Sequence, residues 1–247
     1  FNICQEYVAR DNRFKLIHQE NKGLVGARNT CLKYMHGEYI TWIDSDDVVD
    51  NNYLERLLTV QAETGADIVK CLKKHIRDSN IFLITNYDRI YKTKEKIIEV
   101  SKLDLILDAI DSRLAVVEFW GTLIHRELYN GITLSQGVVF EDQGNKFKLY
   151  LRSKKNVILL EQLYGYRIRE GSIMRMTNKD LSALKDYIYN WDKLLYYIEV
   201  ANYNIQEVRE AYIKELDKLS AEVNLSQEDA KIYREAIDRH KQKISKL

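Results

Sequence analysis

The sequence predicts an α/β fold, a mainly parallel sheet flanked by helices, with a helical appendage at its C-terminal end. Three observations carry this. From residue 14 to residue 75, segments with strand character alternate with segments of helical periodicity. An apolar run, Tyr39-Ile40-Thr41-Trp42-Ile43, leads directly into the acidic cluster Asp44-Ser45-Asp46-Asp47, as expected where a strand delivers polar groups to the ligand-binding edge of an open sheet. After Asn178 the apolar residues recur only at helical spacing.

Taken in order, residues 1–10 read as the end of a helix with Ile3, Tyr7 and Val8 on one face, which suggests that the sequence is a fragment. Phe14 to His18 reads as a short strand, and Glu20 to Gly23 as a polar turn. Val25 to Met35 has helical spacing (Ala27, Cys31, Met35), stopped by Gly37. Glu38 to Ile43 is a buried strand. Asn52 and Glu55 open a helix whose apolar face uses Leu54, Leu57, Leu58 and Ala62. Asp67 to His75 is a strand, 81–92 a strand or hairpin, and 101–111 a helix. Short strands and one helix, Asp142 to Leu151, occupy Glu118 to Ile168. The division expected is a domain over 1–178 and a helical appendage over 179–247. In the latter, Leu181, Leu184, Ile188, Trp191 and Ile198 mark one helix and Ile205, Val208, Tyr212 and Leu216 a second. Ser226 with Asp229 opens a third.

Composition narrows the functional classes. With 38 Lys+Arg against 37 Asp+Glu, the net charge of +1 gives no global attraction for nucleic acid. Proline is absent from all 247 residues, where ordinary usage of about 5% would supply about a dozen. Polyproline ligands and proline-stiffened linkers are therefore excluded. Three widely spaced cysteines without a CxxC pair point to a reducing compartment and offer no zinc site. No apolar run approaches the ~20 residues of a membrane span, and no secretory leader is visible. The expected location is cytoplasmic. Tyr187, Tyr189, Tyr196, Tyr197, Tyr203 and Tyr212, interleaved with lysines, leave open a peripheral contact at the inner membrane face. A packed helical hairpin or a homodimer contact is the favoured reading of that stripe.

Carboxylates as close as Asp44, Asp46 and Asp47 repel one another unless a proton or cation compensates. A hard divalent ion completed by phosphate oxygens would do so; a solvated, helix-capping turn is the alternative. Asn21-x-Gly23-x-x-x-Ala27-Arg28-Asn29, Gly37-Glu38-Tyr39-Ile40 and the acidic cluster are followed by Glu141-Asp142 and by Tyr166-Arg167-x-Arg169-Glu170-Gly171-Ser172. In order and spacing these resemble the inverting family-2 glycosyltransferases of GT-A fold, over roughly residues 1–175. The resemblance implies a GT-A-like domain that moves a sugar from a nucleotide sugar, UDP-linked by preference, to a hydroxyl of a glycan or lipid-linked acceptor. It implies that Asp44 and Asp46 hold Mn²⁺ or Mg²⁺, with Asp47 in support, and that Asp142, beside Glu141, is the base. Arg169 and Ser172 would close over the donor diphosphate, Gly23, Arg28 and Asn29 would lie near the nucleotide, and Trp120 would line the acceptor side.

Two departures qualify the resemblance. The strands that bind base and ribose in such enzymes are not in this sequence. At Trp120-Gly121-Thr122-Leu123-Ile124, Thr122 and Ile124 stand where relatives often have Lys and Tyr, which would remove a cation and a phenol from the substrate side. A non-catalytic binding or assembly subunit is thus the second expectation, and a nucleotidyltransferase a distant third.

Overall fold

A computed structural model describes residues 1–77, 80–82, 87, 90–135, 140–168, 181–222 and 227–245. Helices α1 (Asn2–Arg10) and α2 (Gly23–Leu32) precede strand β1 (Tyr39–Thr41). Next come β2 (Val48–Val49), α3 (Tyr53–Thr64), β3 (Ile68–Arg77), β4 (Asn80–Phe82), β5 (Ile97–Glu99) and α4 (Lys102–Asp111). β6 (Thr122–His125), α5 (Phe147–Arg152) and β7 (Asn156–Arg167) complete the sheet region. Helices α6 (Leu181–Val200), α7 (Ile205–Glu222) and α8 (Gln227–Ile244) follow.

The strands form one seven-stranded sheet in the order β1-β6-β3-β7-β2, with β4 added to β3 and β5 to β7. It is mixed rather than mainly parallel. β3 and β7 run parallel, as does an isolated bridge between Trp42 and Trp120, while the other strand pairs are antiparallel. The strand–helix alternation that suggested parallel pairing extends only to β3; beyond it, β4 and β6 pair with β3 in the opposite sense, and only β7 joins it in parallel.

Alternate residues of the central strands face opposite layers, as the pleat requires. Val69, Cys71, Leu123, Val157 and Leu159 pack with Tyr53, Leu57 and Val60 of α3. Ile68, Leu72, Ile124 and Ile158 pack on the other side with α4, α5 and the C-terminal helices. The latter cluster is continuous: Trp191 of α6 donates its Nε1–H to the Ala109 carbonyl of α4 at 3.1 Å and meets Tyr212 of α7 edge-on. The expected boundary near 179 falls within 169–180, outside the described residues.

Several local expectations change. Phe14 to His18 is irregular and exposed, because no described strand lies beside it to share its hydrogen bonds. The buried face of α3 is Tyr53, Leu57 and Val60, while Leu54 and Leu58 are exposed. Among the described residues of 81–92, only Ile81 and Phe82, in β4, are strand; 83–86 and 88–89 lie outside the described residues. Ser226 also lies outside them.

The helix expected from Asp142 starts at Phe147, after consecutive turns over 141–146. The Asn145 side-chain amide donates to the Glu141 carbonyl at 2.9 Å and so competes with helical backbone pairing. Gly144 has no room for a side chain: a Cβ there would stand 2.1 Å from Asn190 Oδ1. Glycine is equally required at Gly165 of β7, where a Cβ would come within 2.6 Å of Ile76 and 2.8 Å of Val48. That close approach lets β2 lie against β7 and sets the height of the acidic loop between β1 and β2.

Candidate active site

The sheet edge where β1 ends, the acidic loop and the segment before α5 converge on one arginine. Arg28 projects from α2 and is only 3% exposed, with Phe119 and Trp42 rings within 5.0 and 5.9 Å of its guanidinium carbon. Its Nη1 donates to Glu141 Oε1 and to Asp142 Oδ1, each at 2.9 Å, and Nη2 stands 3.8 Å from Asp44 Oδ1. A planar fork of donors is the one side chain that can span three carboxylates from two segments. Burial opposes its charge, but the three acids outweigh burial and hold the guanidinium more firmly protonated than usual. Arg28, expected near the nucleotide, is thus turned into the acids.

The acids carry the electrostatic imprint of this crowding. Burial, with the charges of Asp142, Asp47 and Asp46, pushes the Asp44 carboxyl up to about 6 although Arg28 opposes the shift. Burial first, and Asp142 second, push Glu141 up to about 7. Asp142 is likewise raised, by burial, against the pull of Arg28 and Lys146. Like-charge repulsion, the sequence-based cause, is secondary to desolvation here.

The acidic loop is clasped from β7 by Tyr164, which no motif marked, and by Arg167, which stood in a motif without an assigned role. Tyr164 Oη accepts the Asp44 N–H at 3.1 Å and donates to Asp47 Oδ2 at 2.8 Å. The Arg167 N–H donates to Asp47 Oδ1 at 2.8 Å, and its Nε to the Asp46 carbonyl at 2.7 Å. Both Asp47 oxygens are therefore engaged in holding the loop. Tyr164 was marked in sequence only by its nearness to Tyr166, and nothing tied either residue to 44–47. β3 and β7 shift register between Cys71 and Lys73, opposite Leu159 to Tyr164, and such irregularities re-aim side chains beside sites.

Other expected residues fall around this centre. Asn29 pairs by both side-chain atoms with the Leu134 backbone, at 2.8 and 2.9 Å, and so ties α2 to the chain leading to Glu141. Gly23 has φ +69° and receives the Asn21 side chain on its N–H at 2.9 Å, a turn that starts α2. Trp120 is 6% exposed, stacked on Tyr164 at 4.4 Å with the Lys70 ammonium 4.6 Å from its ring; this is a packing position beneath the loop. Arg169 and Ser172 lie outside the described residues.

Thr122 and Ile124 are fully buried, so neither removes a group from a substrate surface. Lys146 Nζ donates to Thr122 Oγ1 at 3.1 Å and to the Val116 carbonyl at 3.1 Å, and burial pushes its ammonium well below the usual lysine range. Around it, Lys70 and Lys73 pair with Glu118; burial alone would raise that carboxyl, and the two ammonium groups instead draw it down to about 2.

Asp44 and Asp46 offer hard oxygen donors of the kind a divalent cation takes. Among the described residues no cluster of three or more metal-ligating side chains exists, so oxygens from a bound phosphate would have to complete the shell.

The acidic loop at the edge of the mixed sheet thus faces a half-buried acid pair across Arg28. The family described as Glycosyl transferase family 2 matches residues 2–119. The chain is 33% identical over 215 residues to glycosyltransferase GlyG of Streptococcus pneumoniae, covering 85% of this chain and 70% of that protein. It is 34% identical over 192 residues to GlyA of the same organism, covering 74% of this chain but only 27% of GlyA. The structure of S. aureus TarS 1–349 in complex with UDP-GlcNAc superposes with a TM-score of 0.69 at 20% identity, over 92% of this chain and 64% of that one. The chain belongs to glycosyltransferase family 2. No described helix is long and apolar enough to cross a membrane.

Proposed function

We propose that the protein transfers a sugar, with inversion, from a UDP-sugar to a hydroxyl of a glycan or lipid-linked acceptor. The observation that carries the reading is the Arg28 bridge, which brings Asp44 of the acidic loop together with Glu141 and Asp142 from a distant part of the sequence. Asp44 and Asp46 would hold Mg²⁺ or Mn²⁺, whose chemistry is to neutralise charge on the departing diphosphate. Asp142 accepts the proton of the attacking hydroxyl; its raised carboxyl is a stronger base than a surface aspartate once ionised, and Arg28 keeps it oriented. Glu141 accepts from the same Nη1 as Asp142 and so shares its hold on the guanidinium. The solved TarS complex with UDP-GlcNAc supports a UDP-linked donor. The buried positions of Thr122 and Ile124 weaken one of the two grounds for a non-catalytic subunit, the other being the strands that are not in this sequence.

The test is UDP release from UDP-sugars with Mn²⁺ present. Asp142→Asn should cost at least 100-fold in turnover, in line with the roughly 10²–10⁴ contributed by a general base, while UDP binding is kept. Turnover unchanged in Asp142→Asn would remove the aspartate from the reaction.

A further inference from the structure

A second charged cluster lies where α6 meets the segment between the acid pair and α5. Asn145, 1% exposed, is its hub: Nδ2 donates to the Glu141 carbonyl at 2.9 Å and Oδ1 accepts the Ser135 N–H at 2.7 Å. The same Oδ1 receives two ammonium groups, Lys148 at 3.2 Å and Lys193 at 3.3 Å. Lys148 is 7% exposed; its remaining acceptors are the Thr133 carbonyl at 3.2 Å and Ser135 Oγ at 3.5 Å, and its ammonium lies 5.3 Å from the Tyr197 ring centroid.

Every one of these acceptors is neutral. Among the described residues no carboxylate lies within ion-pair distance of either lysine, so two adjacent positive charges go without a counter-charge. Lys148 spends its donors internally, whereas Lys193, half-buried, has one acceptor among the described residues for three N–H groups. Burial, with the charge of Lys148, lowers the Lys193 ammonium to about 7. Solvent is a poor remedy for such a pair; an anion with several oxygens relieves the repulsion and takes up the free donors.

Around Lys193 on α6, Tyr189, Tyr196, Tyr197 and Val200 stand at spacings of three, four and seven residues, and they are 48, 64, 40 and 70% exposed. Aromatic and apolar side chains flanking a cation suit a phosphate joined to a larger, partly apolar molecule.

We propose that Lys148 and Lys193 form a binding site for a phosphate ester. Assigning that phosphate to the acceptor rests on the proposed function, because Asn145 links the pair to the backbone of Glu141; the site itself does not. Lys193 supplies the direct contact, Lys148 a fixed charge beneath it, and Asn145 the spacing.

Inorganic phosphate and glycerol 3-phosphate, titrated calorimetrically without metal into the intact chain, are the first probes. Lys193→Gln should weaken binding at least tenfold, Lys193→Arg should restore it, and Asp46→Ala should leave it unchanged. Neutral vesicles with and without phosphatidic acid form a second arm. Capture that requires the acidic lipid and falls in Lys193→Gln assigns the site to a lipid phosphate. Binding of glycerol 3-phosphate without such capture assigns it to a soluble ester. Equal phosphate binding by wild type and Lys193→Gln, or none by wild type at millimolar concentration, overturns the proposal. UDP binding with Mn²⁺, measured on the same proteins, keeps the two readings apart. Its loss in wild type with an intact Lys193 effect would sink the donor reading alone; the reverse would sink only the phosphate site.

Discussion

Arg28 and Tyr164 organise the candidate site, and they differ in how visible they are in the sequence. Arg28 stood within a motif, but its partners could not be read there, because Glu141 and Asp142 lie more than a hundred residues away and only folding brings them to 2.9 Å. Removing one partner of a buried ion cluster leaves the others uncompensated, a loss of about 3–5 kcal/mol. Arg28→Met is therefore expected to lower stability by that amount in urea unfolding, and Arg28→Lys to recover only part of it, since one ammonium cannot span the acids as a fork does. Tyr164→Phe deletes a hydroxyl that serves Asp44 and Asp47 together. Its expected cost is about 1–3 kcal/mol. Weaker Mn²⁺-dependent UDP binding should accompany it, whereas a purely structural hydroxyl would leave that affinity alone. No sequence pattern marked this tyrosine: a β-strand tyrosine is ordinarily a packing residue, and its reach to the acidic loop follows from the register shift in β7.

At the scale of elements, periodicity located helices well and their faces less well. For α3 the sequence suggested a face through Leu54 and Leu58, whereas the sheet buries the one that includes Tyr53, whose ring packs edge-on against Tyr164. The consequence is a contrast between adjacent leucines. Leu57→Ala, at a fully buried position, should cost about 2–5 kcal/mol, while Leu58→Ala, 44% exposed, should stay within about 0.5 kcal/mol. Paired thermal melts measure both. Phe14 to His18 shows the converse limit: a strand-like composition makes a strand only where a neighbour accepts its hydrogen bonds. Helix α5 began five residues late for a local reason, the competing amide of Asn145, which becomes legible once its partners are known.

For the whole molecule, the α/β class and the helical C-terminal part followed from the order of periodicities, whereas the mixed direction of the sheet did not, since strand direction depends on where each strand inserts and local pattern is blind to that. The helices are joined to the sheet layer by the continuous apolar cluster around Trp191 and by the lysines at Asn145. That second junction is sensitive to pH. Lys193 titrates near 7 in the folded chain and near 10.5 when unfolded, so between these limits the unfolded chain holds more protons and stability rises with pH. Lys193→Gln removes this contribution: the variant should gain stability over wild type at pH 6, and the gain should shrink as pH rises towards 10. A gain independent of pH would show that the ammonium is not the cause. The central claim, that the acidic loop and the acids gathered by Arg28 form a metal-assisted sugar-transfer site, is tested most directly by calorimetry of UDP with and without Mn²⁺ on wild type and Asp46→Ala. The account predicts binding that requires the metal and disappears in Asp46→Ala; binding indifferent to both, or absent in wild type, would contradict it.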